Sequence, residues 1–225
     1  MMAETRKAKR RLGRPCAGPH LERLLWRVGI RCVAGVDEVG MGPLAGPVVA
    51  AAVVLPPETT IAHVADSKQL TAAQRERLDV EIRARALAIG IGVVEPDEID
   101  RLNIYQAGMK AKREALAALA PLVPGFVLVD GREIPGLGVP QSAYPKGDAF
   151  VLSIAAASIV AKVFRDAIMR RLEDVHPGYG FAKHMGYATA VHLRAIETQG
   201  PSPVHRRSFA PIARDPQLPL EWLSR

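Results

Sequence analysis

The chain has little of what several function classes require. Its 225 residues include two cysteines, Cys16 and Cys32, whose separation fits neither a metal-ligand nor a redox pair. With no secretion signal in view, both thiols are expected to be free. Long apolar runs are also missing. The best candidate, 149–161, is interrupted by Ser153 and Ser158 and falls short of the roughly 18 residues that cross a bilayer. The basic stretch from Arg6 to Arg14 runs into Pro15, Gly18 and Pro19 rather than into the apolar segment of a signal peptide. These absences argue against membrane and secreted classes, and a cytoplasmic protein is expected. His176, His184, His192 and His205 have no zinc-like spacing. Internal repeats and low-complexity blocks are absent from the sequence.

What is present supports one substantial core. A hydrophobic content of 48% over 225 residues suffices for a single large domain, placed at 31–211 with a C-terminal tail at 212–225. The net charge of +7 is uneven. Residues 1–31 carry nine Lys or Arg and two Glu, and the remainder is balanced at 21 basic and 21 acidic residues. Residues 1–30 therefore read as a flexible basic extension, either a weak, salt-sensitive contact for a polyanion or a solubilising segment. In the neutral remainder, nucleic-acid binding has to rest on a local basic patch.

Short apolar stretches predict strands at 32–37, 47–55, 87–94, 126–130 and 138–143, and helical patterns fall at 71–86, 97–119, 149–175 and 187–199. This is an α/β pattern. The tight glycine turn between the first two strands predicts an antiparallel pair, and the later strand–helix alternation predicts a mixed sheet.

Acids stand at unusual places in this pattern. Asp37 and Glu38 end the apolar run that begins at Cys32, and the glycine- and proline-marked turn 39–47 follows at once. Adjacent carboxylates at the mouth of a core repel and lose hydration unless a cation or donors compensate. A metal site answers that need; the competing reading is one acid capping the turn and one facing water. Asp130 ends a second apolar strand and could reach the same sheet edge. Asp148 precedes the long helical pattern, where it could serve as a fourth carboxylate or as the helix N-cap. Hard divalent cations take oxygen ligands of this kind.

Several ordered segments resemble bacterial ribonuclease HII. They are Gly35-Val-Asp-Glu-Val-Gly-Met-Gly-Pro-Leu-Ala-Gly, Asp66-Ser-Lys-Gln-Leu, Val129-Asp-Gly, Lys146-Gly-Asp, Ala156-Ala-Ser-Ile-Val-Ala-Lys-Val-Phe-Arg-Asp166, Gly186-Tyr187 and His205-Arg-Arg-Ser-Phe. The resemblance covers about residues 31–211. It implies a ribonuclease H-like fold: a mixed five-stranded sheet flanked by helices, with a helical C-terminal segment. It also implies an endonuclease that cuts the RNA strand of RNA–DNA hybrids and nicks duplex DNA 5′ of embedded ribonucleotides, leaving 3′-hydroxyl and 5′-phosphate ends.

Asp37, Glu38, Asp130 and Asp148 match the family carboxylates, whose implied task is to hold two Mg²⁺ or Mn²⁺ ions roughly 3.5–4 Å apart around the scissile phosphate. Gly40, Met41 and Gly42 match a segment that is usually Gly-Arg-Gly and whose main chain contacts the ribose. Methionine in place of the arginine keeps the backbone and loses the guanidinium. A Cβ at Gly42 is expected to obstruct the sugar or strain the turn. Lys68 lies in the loop that contacts phosphates, although Asp66 or Ser67 could instead cap a helix. Ser158 and Lys162 share one helix face and could address a phosphate together; the family usually has serine where Ala155 stands. Tyr187 matches the tyrosine that stacks beside an RNA–DNA junction, against the alternative of a core anchor. Asp166, next to Arg165, is expected in a local ion pair, and Asp66 and Glu133 are expected to be structural.

Other readings are a ribonuclease HIII-like enzyme, a DNA-directed nuclease of the same superfamily, and a non-catalytic nucleic-acid-binding protein. Ribonuclease HIII usually carries an N-terminal substrate-binding domain, for which thirty residues are too few. The four acids favour the enzyme, acting on its duplex as a monomer.

Overall fold

The computed structural model describes residues 17–64 and 70–214. Five strands form one mixed sheet in the order β3-β2-β1-β4-β5. They are β1 (Val33–Val39), β2 (Val48–Val54), β3 (Ala88–Val94), β4 (Phe126–Asp130) and β5 (Gln141–Tyr144). β1 pairs antiparallel with β2, as the short turn between them requires, and parallel with β4 on its other side. All seven residues of β2, Val-Val-Ala-Ala-Ala-Val-Val, are buried. A run that is apolar on both faces needs cover on both faces, and helices supply it.

One layer holds α5 (Leu152–Val175), packed on β1 and β2, with α2 (Ala72–Arg85) against α5. The other layer holds α4 (Ile104–Ala117), packed on β3, β2 and β1, with α3 (Pro96–Leu102) beside it. Two clusters fill the two interfaces, one containing Val36, Ala111 and Ala115, the other Ala51, Ala155 and Val160. α6 (Phe181–His184) and α7 (Ala190–Gln199) close the C-terminal end around Phe181, Tyr179 and Ile196.

Three local departures from the expected pattern have physical causes. The helix expected over 97–119 breaks at Asn103, which sits at φ 71° and whose side chain accepts from the Gln106 amide, so it starts α4 anew. Asp148 does not cap the long helix. It lies in a 3₁₀ turn, Gly147–Ala149, and α5 begins after Val151 with no side-chain cap. Inside the stretch expected as an extension, α1 (His20–Arg27) packs on the domain, with Trp26 buried beside Val33, Leu128 and Ile154. Buried Glu22 accepts from both the amide and the hydroxyl of Ser153. At the other end, Ile212 is buried, so packed chain extends past residue 211. Residues 1–16, including Cys16, and 215–225 lie outside the described residues, as does the loop that carries Asp66, Ser67 and Lys68.

Candidate functional site

Strand alternation sends Asp37 and Glu38 to opposite faces of β1. Ala34 and Val36, in phase with Glu38, face the α4 layer, and Lys112 of α4 places its Nζ 2.5 Å from Glu38 Oε2. Asp37 faces α5, where Ser158 hydrogen-bonds to it. That meeting depends on Gly35: a Cβ there would lie 2.1 Å from the Ser153 carbonyl carbon, so only glycine lets α5 come this close to β1. Val36 pairs with Val129, so Asp130 ends β4 next to Asp37. The Gly147 amide donates to Asp130 Oδ1 at 2.7 Å and fixes that carboxylate.

Three acids thus meet at the edge of two parallel strands. Burial pushes the Asp37 carboxyl well above the usual carboxylate range, and Glu38 and Asp130 push it the same way; Ser158 and Lys112 oppose them. Asp148 is buried, one residue beyond the amide that holds Asp130.

The glycine turn after β1 is held from within by two buried arginines. Arg206 donates to the carbonyls of Gly40 (2.6 Å) and Gly46 (2.8 and 3.0 Å). Arg165 donates to those of Pro47, Ala45 and Met185. Burial lowers the two guanidinium groups to about 9 and about 10, so both stay charged at neutral pH. Five donors in a rigid fork suit convergent carbonyls of this kind. Gly40 has φ +94°, and a Cβ on it would strike Arg165 Nε at 2.4 Å. At Gly42 a Cβ would meet only Tyr187 Cε1, at 3.7 Å, and its φ is unexceptional. The expectation of strain in the turn therefore belongs to Gly40 and not to Gly42.

Tyr187 is 46% exposed, against the core-anchor alternative. Its carbonyl ends a chain of polar contacts whose proton positions follow from counting donors. A carbonyl only accepts, so His192 Nδ1 donates to Tyr187 O at 2.9 Å. His192 Nε2 then accepts from His205 Nε2 at 3.0 Å, and His205 Nδ1 accepts from the amide and hydroxyl of Ser202. Both imidazoles are neutral in this arrangement, and burial lowers both.

A groove of about 290 Å³ opens on these parts. It is lined by Asp37, Glu38, Gly40, Met41, Gly42, Asp130, Ser158, Lys162 and Tyr187, together with Val39. Nine residues singled out from the sequence meet there, and Asp148 is not part of the lining. Lys162 is already engaged: its Nζ donates to Asp166 at 2.6 Å, and Arg75 stands 4.0 Å from the other oxygen. The ion pair expected of Asp166 is present, with these partners and not Arg165.

Sequence reasoning missed Lys112, Arg206 and the His192–His205 pair. A signal for Lys112 existed, since it interrupts the small and apolar stripe Gly108, Lys112, Leu116 on α4. Among the described residues no three His, Cys, Asp or Glu side chains form a ready-made metal cage; Lys112 pairs with Glu38, and the Gly147 amide donates to Asp130. The donor set nevertheless fits a hard divalent cation. Glu38 Oε2 is buried without a hydrogen bond, its contact with Lys112 being an ion pair by distance alone, and burial with two neighbouring acids pushes Asp37 up in a way that a bound cation would offset.

A model of the family Ribonuclease HII matches residues 34–212. Ribonuclease HII of Acidovorax sp. (strain JS42) is 57% identical over 188 residues, covering 84% of this chain and 90% of that protein. Ribonuclease HII of Anaeromyxobacter sp. (strain Fw109-5) is 50% identical over 210 residues, covering 91% and 66%. Among solved structures, the ribonuclease H2 of Pyrococcus horikoshii OT3 superposes with a TM-score of 0.69 at 27% identity, over 81% of this chain and 96% of that one. The ribonuclease HIII termed Bst-RNase HIII, solved in complex with Mn²⁺, shares the fold at a TM-score of 0.62 and 21% identity, over 84% of this chain and 70% of that one. Since the family match runs from β1 to Ile212 and these bacterial relatives are half or more identical, the chain belongs to the ribonuclease HII family, hydrolases that act on the RNA of RNA–DNA hybrids.

Proposed function

We propose that the groove at the ends of β1 and β4 cuts the RNA strand of RNA–DNA hybrids and nicks duplex DNA 5′ of embedded ribonucleotides. The observation that carries this reading is the convergence of Asp37, Glu38 and Asp130 in one groove with Gly40, Met41 and Gly42. Asp37, Glu38, Asp130 and Asp148 are the residues that would hold two divalent cations, Mg²⁺ or Mn²⁺. Bound there, the pair would supply an activated water and charge stabilisation for the departing 3′-oxygen.

The chain's own residues do the rest. Arg206 and Arg165 fix the turn so that the main chain of Gly40, Met41 and Gly42 can approach a 2′-hydroxyl, the group that distinguishes RNA from DNA. Ser158 orients Asp37. Lys162, and Lys68 from outside the described residues, supply positive charge for the phosphates. Tyr187, exposed on the rim and held through its carbonyl by His192, offers a ring face to the nucleotide beside the junction. The protein works as a monomer.

Matched duplexes containing zero, one or several ribonucleotides, incubated with Mg²⁺, test this reading. Cutting is expected only where ribonucleotides are present, on their 5′ side, with 3′-hydroxyl and 5′-phosphate ends. Asp130→Asn keeps an acceptor for the Gly147 amide and removes the charge, so it should lose roughly a hundredfold or more of the rate without unfolding. Equal cutting of the all-DNA duplex, or an unimpaired Asp130→Asn, would overturn the proposal.

A further inference from the structure

Lys112 is the least expected charge in the fold. It lies in the middle of α4, is 1% exposed, and belongs to the face that packs on the sheet. A lysine is almost never buried so completely without a partner. Here the partners are both at the candidate site. The ammonium stands 2.5 Å from Glu38 Oε2 and donates to the main-chain oxygen of Asp130 at 2.8 Å, so one side chain ties together the ends of β1 and β4. Its charge also favours ionised Asp37.

Among the described residues, Lys112 is the cation in an ion pair with Glu38. A second cavity, of about 200 Å³, is lined by Glu38, Met41, Gly108, Lys112 and Gly131, with Tyr105, Met109 and Arg132 completing it. Arg132 in that lining directs its guanidinium over the Tyr105 ring, 6.0 Å from the centroid. Met41 carries no charge and lies against α4 one turn before Lys112, its sulfur 3.1 Å from where a Cβ on Gly108 would stand. The absence of a side chain at Gly108 thus makes room for Met41.

We propose that Lys112 is a positioning residue for the reaction and the built-in counter-ion of the acidic cluster: it holds Glu38 in the metal-free protein and releases that carboxylate when a divalent cation binds. The inference rests on the reading of the acids as metal ligands. One positive charge among three carboxylates relieves their repulsion, and a divalent cation that engages Glu38 has to compete with it. Lys112 therefore stabilises the metal-free protein and weakens metal binding at once.

Two variants separate this role from simple packing. Lys112→Met keeps the length and apolar stem of the side chain and removes the charge. In chelator its melting temperature should fall by several degrees, and the Mn²⁺ concentration giving half the metal-induced rise in melting temperature should drop by about tenfold. Unchanged values for both would reduce Lys112 to a tie on β4 and overturn the proposal. Glu38→Gln in chelator provides a test of opposite sign that does not depend on Lys112→Met folding. If Glu38 is held by Lys112, neutralising it lowers the metal-free melting temperature; if Glu38 is an unrelieved acid among acids, neutralising it raises that temperature, and such a rise would also overturn the proposal. Wild-type protein distinguishes the two levels of failure. No Mn²⁺-dependent shift and no cleavage would sink the metal-site reading itself, whereas a normal shift and normal cleavage with an unaltered Lys112→Met midpoint would sink only the role of Lys112.

Discussion

Gly40 and Gly42 stand two residues apart in one turn, yet the structure gives them different reasons for being glycine. Gly40 is locked by its positive φ and by Arg165 behind it, so Gly40→Ala should lose on the order of 3 kcal/mol of stability. Gly42 has room for a Cβ on the protein side, so Gly42→Ala should melt within about 0.5 kcal/mol of wild type. Its cleavage of a duplex with one ribonucleotide should still fall, because the new methyl would stand between the main chain and the sugar. If Gly42→Ala is fully active, the ribose does not approach this glycine. Tyr187→Ala is the complementary test on the ring that stands beside Gly42: it should impair nicking at a single ribonucleotide by about tenfold, in line with roughly 1–3 kcal/mol for stacking on a base, and impair cutting of a long hybrid less. Equal losses on the two substrates would leave the ring with a packing role only. At this scale the sequence was legible where a residue type contradicted its setting. Asp37, Glu38 and Asp130 ended apolar strands and could be named for that reason. Lys112 differs from Lys110, two residues away, only in the stripe it falls on: Lys110 pairs on the surface with Glu98 and Glu114, whereas the partners that Lys112 finds inside depend on where α4 rests on the sheet.

Elements were legible where one local pattern dominated. The apolar run of β2 and the short turn before it were enough to predict the antiparallel pair, and the acid that ends β4, with the glycine after it, marked a strand end. The break between α3 and α4 was hidden because its periodicity continues across Asn103, and only the positive φ at that residue separates the two helices. α1 was hidden by the charge of its neighbourhood, since its anchors, Glu22 and Trp26, find their partners in α5 and the sheet. The contact of α5 with β1 carries the greatest consequence. It places Ser158 over Asp37, and it exists because Gly35 has no side chain. Gly35→Ala would put a Cβ 2.1 Å from the α5 backbone, where no flexible side chain can yield. The helix would have to lift along its most buried turns, and the melting temperature should fall by roughly 10 °C, given about 3 kcal/mol of overpacking and 2–4 °C per kcal/mol in a domain of this size. Differential scanning calorimetry checks this; a shift of a degree or two would mean that α5 is not held against β1 as described.

For the whole molecule, charge and burial are separated along the chain. The excess of positive charge lies in the first 31 residues and the rest is balanced. Deleting residues 2–16, which precede α1 and its contacts, should leave the cut site unchanged, weaken duplex binding at low salt and flatten the dependence of binding on salt. An unaltered slope would leave that segment without a binding role.

Acid stability depends instead on the interior. His205 is buried, faces His192, His184 and His176 as well as the Tyr179 ring, and is lowered from 6.5 to about 3 by burial first and by those imidazoles second. Because the folded value lies below the unfolded one, this histidine's contribution is fully present above pH 6.5 and is lost as pH falls towards 3. The slope is about 1.4 kcal/mol per pH unit for one group, or roughly 2 kcal/mol by pH 5. Protonation of His205 at Nδ1 would also set donor against donor with the Ser202 amide, which now donates to that nitrogen, and disturb the chain that ends at the Tyr187 carbonyl. His205→Gln, compared with wild type by chemical denaturation at pH 7 and pH 5, should be less stable at pH 7 but lose about 2 kcal/mol less on acidification. An equal acid loss in the two proteins would assign the sensitivity to other groups and leave the His192–His205 contact without a part in it.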